Sequence, residues 1–193
     1  MKICFATNNK NKLEEVQNML PPHFELVSLE GVGCTEELRE DQDTLEGNSL
    51  QKAQYVFDTF EYSCFADDTG LEVPSINGEP GVKSARYAGD QRDNEANIQL
   101  LLDKLEGKED RSAQFRTVIT LVTPDETKQF EGVVKGKIIS QKVGEKGFGY
   151  DPVFVPEGYD VTFAQMSMDE KNKISHRARA FNKLSDYLSS SKF

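Results

Sequence analysis

Between residues 113 and 139 the chain carries two long runs of period-two alternation. Ala113, Phe115, Thr117, Ile119 and Leu121 form the first; after a turn at Pro124-Asp125 a second spans Phe130 to Ile139. Such alternation marks strands with one buried face, and two of them around a turn make a β-hairpin. Elsewhere short apolar runs are followed by stretches of helical spacing. An antiparallel pair therefore sits in an otherwise helix-alternating chain, and the class is mixed α/β.

The same reading places the other elements. Lys2 to Ala6 is a buried strand; Leu13, Val16 and Leu20 then recur at helical spacing, with Asn11 and Glu14 as a capping pair and Pro21-Pro22 as the stop. A second helix runs from about Thr44 to Phe60, capped by Asp43 or Thr44, with Leu45, Ala53, Val56, Phe57 and Phe60 on one face. Ser63 to Ala66 reads as a short strand that enters a sharp turn at Asp67-Asp68-Thr69-Gly70. Residues 74–89, rich in Pro and Gly, read as an ordered loop. A third helix covers about Asp93 to Leu105, Val153 to Val155 is one more strand, and a last helix spans about His176 to Leu188. No repeat or interdomain linker interrupts the 193 residues, which read as a single domain.

Composition narrows the function classes. The 33 acidic residues outnumber the 23 Lys and Arg, for a formal charge of −10, and this balance argues against a polymeric nucleic-acid partner, whose affinity rests on a basic surface. A nucleotide is a different matter, since local lysines and a divalent cation hold a small polyanion whatever the charge elsewhere. Cys4, Cys34 and Cys64 are odd in number and lack CxxC spacing, so they read as reduced, partly buried thiols of a cytoplasmic protein. With no signal-peptide core and no run of eighteen apolar residues, neither export nor a membrane span is expected.

Several segments carry residue types suited to phosphate and metal chemistry. Thr7-Asn8-Asn9-Lys10-Asn11-Lys12 lies between a strand and a helix, where backbone N–H groups and lysines favour an anion, although a polar turn with capping asparagines explains it equally well. It is not a P-loop, for it has no glycine. Asp67-Asp68 places two carboxylates at the exit of an apolar strand; one can ligate Mg²⁺ and orient a water, or the pair can be a solvated turn with an Asx cap. Glu40 sits in a charge-rich loop, and Asn48 and Lys52, four apart, share one helix face that is ordinarily hydrated. In Gly147-Phe148-Gly149-Tyr150-Asp151-Pro152, aromatics between glycines with an acid beside them can form a slot for a planar base, or a glycine-flanked turn with core aromatics. Lys171 and Ser175-His176-Arg177 put cationic groups near the start of the last helix, where Ser175 also suits an N-cap.

The combination is more specific than its parts. Thr7-x-Asn9-x-x-Lys12, Phe65-Ala66-Asp67-Asp68-Thr69-Gly70-Leu71, Gly81 through Ser84-Ala85-Arg86-Tyr87, Gly147 to Pro152 and Ile174-Ser175-His176-Arg177, in this order, resemble the inosine/xanthosine triphosphate pyrophosphatase family from end to end. The resemblance implies an α/β fold with an elongated mixed β-sheet flanked by helices, two lobes with a central cleft, and a homodimer. It implies Mg²⁺-dependent hydrolysis of aberrant purine nucleoside triphosphates (ITP, dITP, XTP) to monophosphate and pyrophosphate, clearing them from the nucleotide pool.

Residue roles follow from the same likeness. Asp68 matches the general base and a metal ligand, and Glu40 a second acid at the metal. Thr7, Asn9, Lys12, Lys52 and Thr69, with Asn8, Lys10 and Asn11 of the same segment, match the triphosphate site. Phe148, Gly149, Tyr150, Asp151, Lys171, His176 and Arg177 match the base pocket, where an arginine donor suits a purine 6-oxo group and rejects the adenine 6-amino group. The chain departs from the family at Leu45 and Gly47, where Phe and a bulkier residue are more usual. Three other readings remain: a Maf-like nucleotide pyrophosphatase, against which the Gly147 to Asp151 and Ser175 to Arg177 motifs argue; a phosphatase with an aspartyl nucleophile, whose Asp-x-Asp spacing is missing; and a nucleotide sensor without catalysis.

Overall fold

The computed structural model describes residues 2–9, 12, 13, 16, 20 and 23–190. Its strands are β1 (Lys2–Phe5), β2 (Glu25–Val27), β3 (Cys64–Val73), β4 (Glu79–Gly81), β5 (Ser112–Val122), β6 (Thr127–Ile138) and β7 (Phe154–Pro156). Its α-helices with described bounds are α1 (Leu45–Phe60), α2 (Asn94–Lys104), α3 (Met168–Ile174) and α4 (His176–Ser190). The strands form one mixed sheet in the order β2-β1-β3-β5-β6-β7, with β4 added to β3. The capping pair Asn11 and Glu14 and the stop at Pro21-Pro22 lie outside the described residues.

The chain divides into two compact units, one of residues 1–68, 117–132 and 177–193, the other of 69–116 and 133–176. In the first, β1 pairs in parallel with β2 and with β3, with Cys4 opposite Cys64 and Phe5 opposite Phe65. Apolar side chains from β1, β3 and α4 interlock on one side: Phe65 stacks on Phe5 with ring centroids 4.6 Å apart and meets Phe181 edge-on at 5.8 Å. A second cluster gathers Ala53 and Val56 of α1 with Cys4, Cys34, Cys64 and Ala66. α1 begins where Thr44 accepts the Gly47 N–H, and ends at Glu61, which takes the left-handed conformation. Gly47 fits its place tightly, since a Cβ there would stand 2.8 Å from Gln42 Cβ.

In the second unit β3 pairs antiparallel with β4, and β6 with β7. Its core joins Leu71 and Val73 to Ile98, Leu101 and Leu105 of and after α2, and to Phe115, Phe154 and Phe163. Asp93 caps α2 by accepting the Glu95 and Ala96 N–H groups.

Two local expectations give way to the structure. The strand at residue 64 does not end in a turn at Asp67-Asp68-Thr69-Gly70; it runs on through these residues to Val73. Gly70 is required for contact and not for a bend: a Cβ there would lie 2.6 Å from the Gly81 carbonyl oxygen of the neighbouring strand. Before the final helix there is also a separate short helix, α3, begun by a capping box in which Ser167 and Glu170 bond each other's backbone N–H groups. Ser175 ends α3 in an extended conformation, and its N–H donates to the Lys171 carbonyl at 2.8 Å.

Candidate active site

In the first unit, three acids and three cations from distant parts of the chain meet around the middle of β3. Asp67 is 1% and Asp68 8% exposed. Buried carboxylates are costly unless paired or hydrogen-bonded, and both are. Asp67 Oδ1 accepts from Lys12 Nζ at 2.9 Å, while its Oδ2 lies 3.5 Å from Arg177 Nε. Asp68 Oδ2 accepts from Asn48 Nδ2 at 3.0 Å. Successive side chains of a strand point to opposite faces, which is how adjacent acids come to have separate partners.

Helix α1 supplies the next layer. Asn48 and Lys52, one turn apart, are 1% and 5% exposed, so this face is buried and not hydrated. Lys52 Nζ donates to the Asp67 backbone carbonyl at 2.7 Å and to Glu40 Oε1. Asn48 Oδ1 accepts the Gln42 N–H at 2.9 Å, tying the loop that carries Glu40 to the helix.

These contacts drive the two aspartates apart in acidity. Burial alone would raise Asp67, but the charges of Lys12, Arg177 and Lys52 outweigh it and hold this carboxyl below the usual carboxylate range. For Asp68 burial wins over the attraction of Lys52 and Lys12, the charge of Glu40 adds to it, and the carboxyl is pushed up. Glu40 would also be raised by burial, yet the Lys52 ammonium brings it below its ordinary value. Lys52, which burial would lower, is held above its ordinary value by Glu40, Asp68 and Asp67.

The segment after β1 is ordered by its own side chains. Thr7 Oγ1 accepts the Asn9 N–H at 3.1 Å, and the Asn9 carbonyl accepts the Lys12 N–H at 3.1 Å. Asn8 is exposed. Lys10 and Asn11 lie outside the described residues.

In the second unit, Asp151 organises the glycine-aromatic segment. Its Oδ2 accepts the Phe148 N–H at 3.0 Å and Lys171 Nζ at 2.8 Å. Gly147, at φ 76°, must lack a side chain, because a Cβ would stand 2.0 Å from Asp151 Oδ2. The Lys171 ammonium also lies over the rings of Phe148 and Phe163, 5.1 and 5.6 Å from their centroids. Phe148 and Gly149 are half-buried. Tyr150 turns inward and donates to the Ser84 carbonyl at 2.9 Å, and burial pushes its hydroxyl well up. His176 stacks on Phe115 at 4.6 Å. Thr69 is half-buried on β3, directly after Asp68.

Two residues of the first unit were not singled out by sequence reasoning as site residues. Asp67 is the shared partner of Lys12 and Arg177, and Asn48 links Asp68 to the Glu40 loop. The signals were present, in the doublet of acids and in the i, i+4 spacing of Asn48 and Lys52, but only burial gives them meaning.

Among the described residues no group of three or more His, Cys, Asp and Glu side chains is arranged to hold a metal ion. Two carboxylates near one another still suit Mg²⁺, which takes one or two protein oxygens and completes its shell with water and substrate phosphate. A cavity of about 780 Å³ in the second unit, lined by residues that include Glu72, Gln114, Lys135, Lys137 and Tyr159, contains none of the residues to which the sequence points.

The chain is similar to known proteins along nearly all of its length. The model of the Ham1 family matches residues 3–187. A protein of Flavobacterium johnsoniae named dITP/XTP pyrophosphatase is 52% identical over 192 residues, covering 100% of both chains. Another of the same name from Christiangramia forsetii is 50% identical over 189 residues, 98% of this chain and 100% of the relative. The solved structure of the Staphylococcus aureus Ham1 protein superposes with a TM-score of 0.93 at 41% identity, covering 100% of each chain.

Proposed function

The chain belongs to the Ham1 family, and on that premise we propose that it is a nucleoside-triphosphate pyrophosphatase that hydrolyses dITP, XTP and ITP to the monophosphate and pyrophosphate. The observation that carries this reading is the buried cluster on β3, in which Asp67, Asp68 and Glu40 meet Lys12, Lys52, Arg177 and Asn48. Adjacent carboxyls driven in opposite directions divide the labour of an acid-base site: one stays ionised, and the other accepts a proton more readily.

Phosphoryl transfer asks mainly for positioning and for neutralisation of charge. A water oxygen attacks the α-phosphorus, the bond to the bridging oxygen breaks, and pyrophosphate leaves. Asp68 takes the water's proton. Lys12 and Lys52, with Thr7, Asn8, Asn9, Lys10, Asn11 and Thr69, bind the triphosphate. Asp68 and Glu40 would hold Mg²⁺, which when bound would supply positive charge to the phosphate oxygens. Phe148 stacks on the base; Gly149, Tyr150, Asp151, Lys171 and His176 shape its pocket, and Arg177 donates to the 6-oxo group. The Ham1 match over residues 3–187 sets aside the Maf-like alternative.

The test is a panel of nucleotides with Mg²⁺ in which pyrophosphate and orthophosphate are followed separately. Pyrophosphate with monophosphate from dITP, XTP and ITP, and little turnover of ATP, is expected. Orthophosphate as the product overturns the reading, and so does binding without turnover. The resemblance carries a homodimer and the cysteine usage a cytoplasmic location, checked by analytical sedimentation and cell fractionation. Among the described residues no helix is long and apolar enough to cross a membrane.

A further inference from the structure

We propose that Asp67 is a positioning residue that couples recognition of the polyphosphate to recognition of the base. The inference rests on the roles given above to Lys12 and Arg177, and it concerns an acid to which neither metal nor substrate has been assigned. Its two oxygens serve two different cations: Oδ1 takes the Lys12 ammonium at 2.9 Å, and Oδ2 faces Arg177 Nε at 3.5 Å. Its backbone carbonyl takes a third, Lys52 Nζ, at 2.7 Å. One residue on a central strand thus contacts three cations of this cluster.

Without the Asp67 carboxylate, Lys12 and Arg177 would repel one another in a site with little access to water, and the long Lys12 side chain would have to be ordered by the substrate itself, whereas Lys52 would keep Glu40 and the backbone carbonyl. Holding them in place beforehand is preorganisation, and it lowers the cost of binding. An ammonium has three donors and a guanidinium five, so either can keep its ion pair with Asp67 while donating to a ligand. Because Lys12 and Arg177 face the two oxygens of one carboxylate, ordering the first of them orders the second. A ligand on one side makes the other side cheaper to bind, and linkage requires the effect to be mutual.

The unmodified protein provides the first test. Inorganic tripolyphosphate with Mg²⁺ probes the Lys12 side and xanthosine the Arg177 side, each by calorimetry in the absence and presence of the other. Saturating tripolyphosphate should tighten xanthosine binding by about fivefold or more, the lower end of ordinary coupling. Independent binding, or no binding of either fragment, overturns the proposal. In Asp67→Asn the coupling should vanish, KM should rise for every nucleotide tested, and the preference for XTP over ATP should narrow. A purely structural Asp67 would lower the melting temperature but leave the KM values and the XTP/ATP ratio of the folded enzyme unchanged. If that variant does not fold, the wild-type coupling still decides. Coupling without hydrolysis would sink the proposed reaction and spare this inference, whereas hydrolysis without coupling would do the opposite.

Discussion

Asn48 donates through Nδ2 to Asp68 Oδ2 at 3.0 Å, and the same side chain accepts the Gln42 N–H through Oδ1 at 2.9 Å. The two bonds fix which end of the amide faces Asp68, since only Nδ2 can donate and only Oδ1 can accept. The proposed base and the loop carrying Glu40 therefore depend on one buried helical residue.

Asn48→Asp puts an acceptor where Asp68 needs a donor, and two carboxylates at that distance do not both ionise. Turnover is expected to fall by about a hundredfold or more. Asn48→Ala removes both the donor to Asp68 and the acceptor of the Gln42 N–H, and each loss should cost about 1–3 kcal/mol. Initial rates beside urea unfolding separate catalysis from stability; Asn48→Asp with more than about a tenth of wild-type kcat, a barrier change of under about 1.4 kcal/mol, would remove Asn48 from its orienting role.

Asp68→Asn is nearly isosteric and keeps a hydrogen-bonding side chain, but it loses the basic oxygen. Turnover should be abolished while the thermal melt stays cooperative. Activity within about tenfold of wild type is incompatible with Asp68 as general base.

Phe148 and Arg177 should fail differently. Every purine presents a π-face, so Phe148→Ala is expected to lower kcat/KM for all purine triphosphates by a similar factor. Arg177→Ala should reduce ITP and XTP use by roughly 1.5–3 kcal/mol, the range for a hydrogen bond to a charged group, with a smaller effect on ATP. An unchanged ITP/ATP ratio in Arg177→Ala would show that Arg177 does not read the base.

The two aspartates make opposite contributions to stability across pH. Asp67 is depressed in the fold, so its stabilisation is present above the unfolded value near 3.9 and is lost as pH falls through the lower folded value. Asp68 is raised, so its contribution is complete below the unfolded value and is lost as pH rises through the folded one. In metal-free protein near neutrality, Asp67→Asn should destabilise by about 3–5 kcal/mol, as when a buried ion pair loses one partner, and Asp68→Asn should stabilise. Urea unfolding in EDTA from pH 3 to pH 7 checks both; the Asp67→Asn deficit should shrink below about pH 4.

The sequence displays what is periodic and local. The hairpin, the capped helix at Thr44 and the helix capped by Asp93 are visible because spacing and caps act within a few residues. Asp67-Asp68-Thr69-Gly70 reads as a turn because Asp and Gly are poor strand formers. It is a strand because Lys12 and Arg177, near the two ends of the chain, make burial of Asp67 tolerable, and because Gly81 demands the absence of a side chain at Gly70. The helix at Met168–Ile174 is signalled only by its capping box, Ser167-x-x-Glu170, because about two turns show little periodicity. Site residues were found by their company in a motif; that Asn48 faces a carboxylate is decided by tertiary packing alone.

Cys4 and Cys64 sit opposite each other on parallel strands, both fully buried, and Cys64 lies three residues before Asp67. Both sulfurs lie in the cluster with Ala53 and Val56 of α1, so alkylating reagents can reach them only when that cluster opens. The native protein thus contains its own clock for opening of the packing behind its acids: the rate of iodoacetamide uptake at Cys64, read by mass spectrometry, measures how often that packing lets go and how far a bound nucleotide slows it.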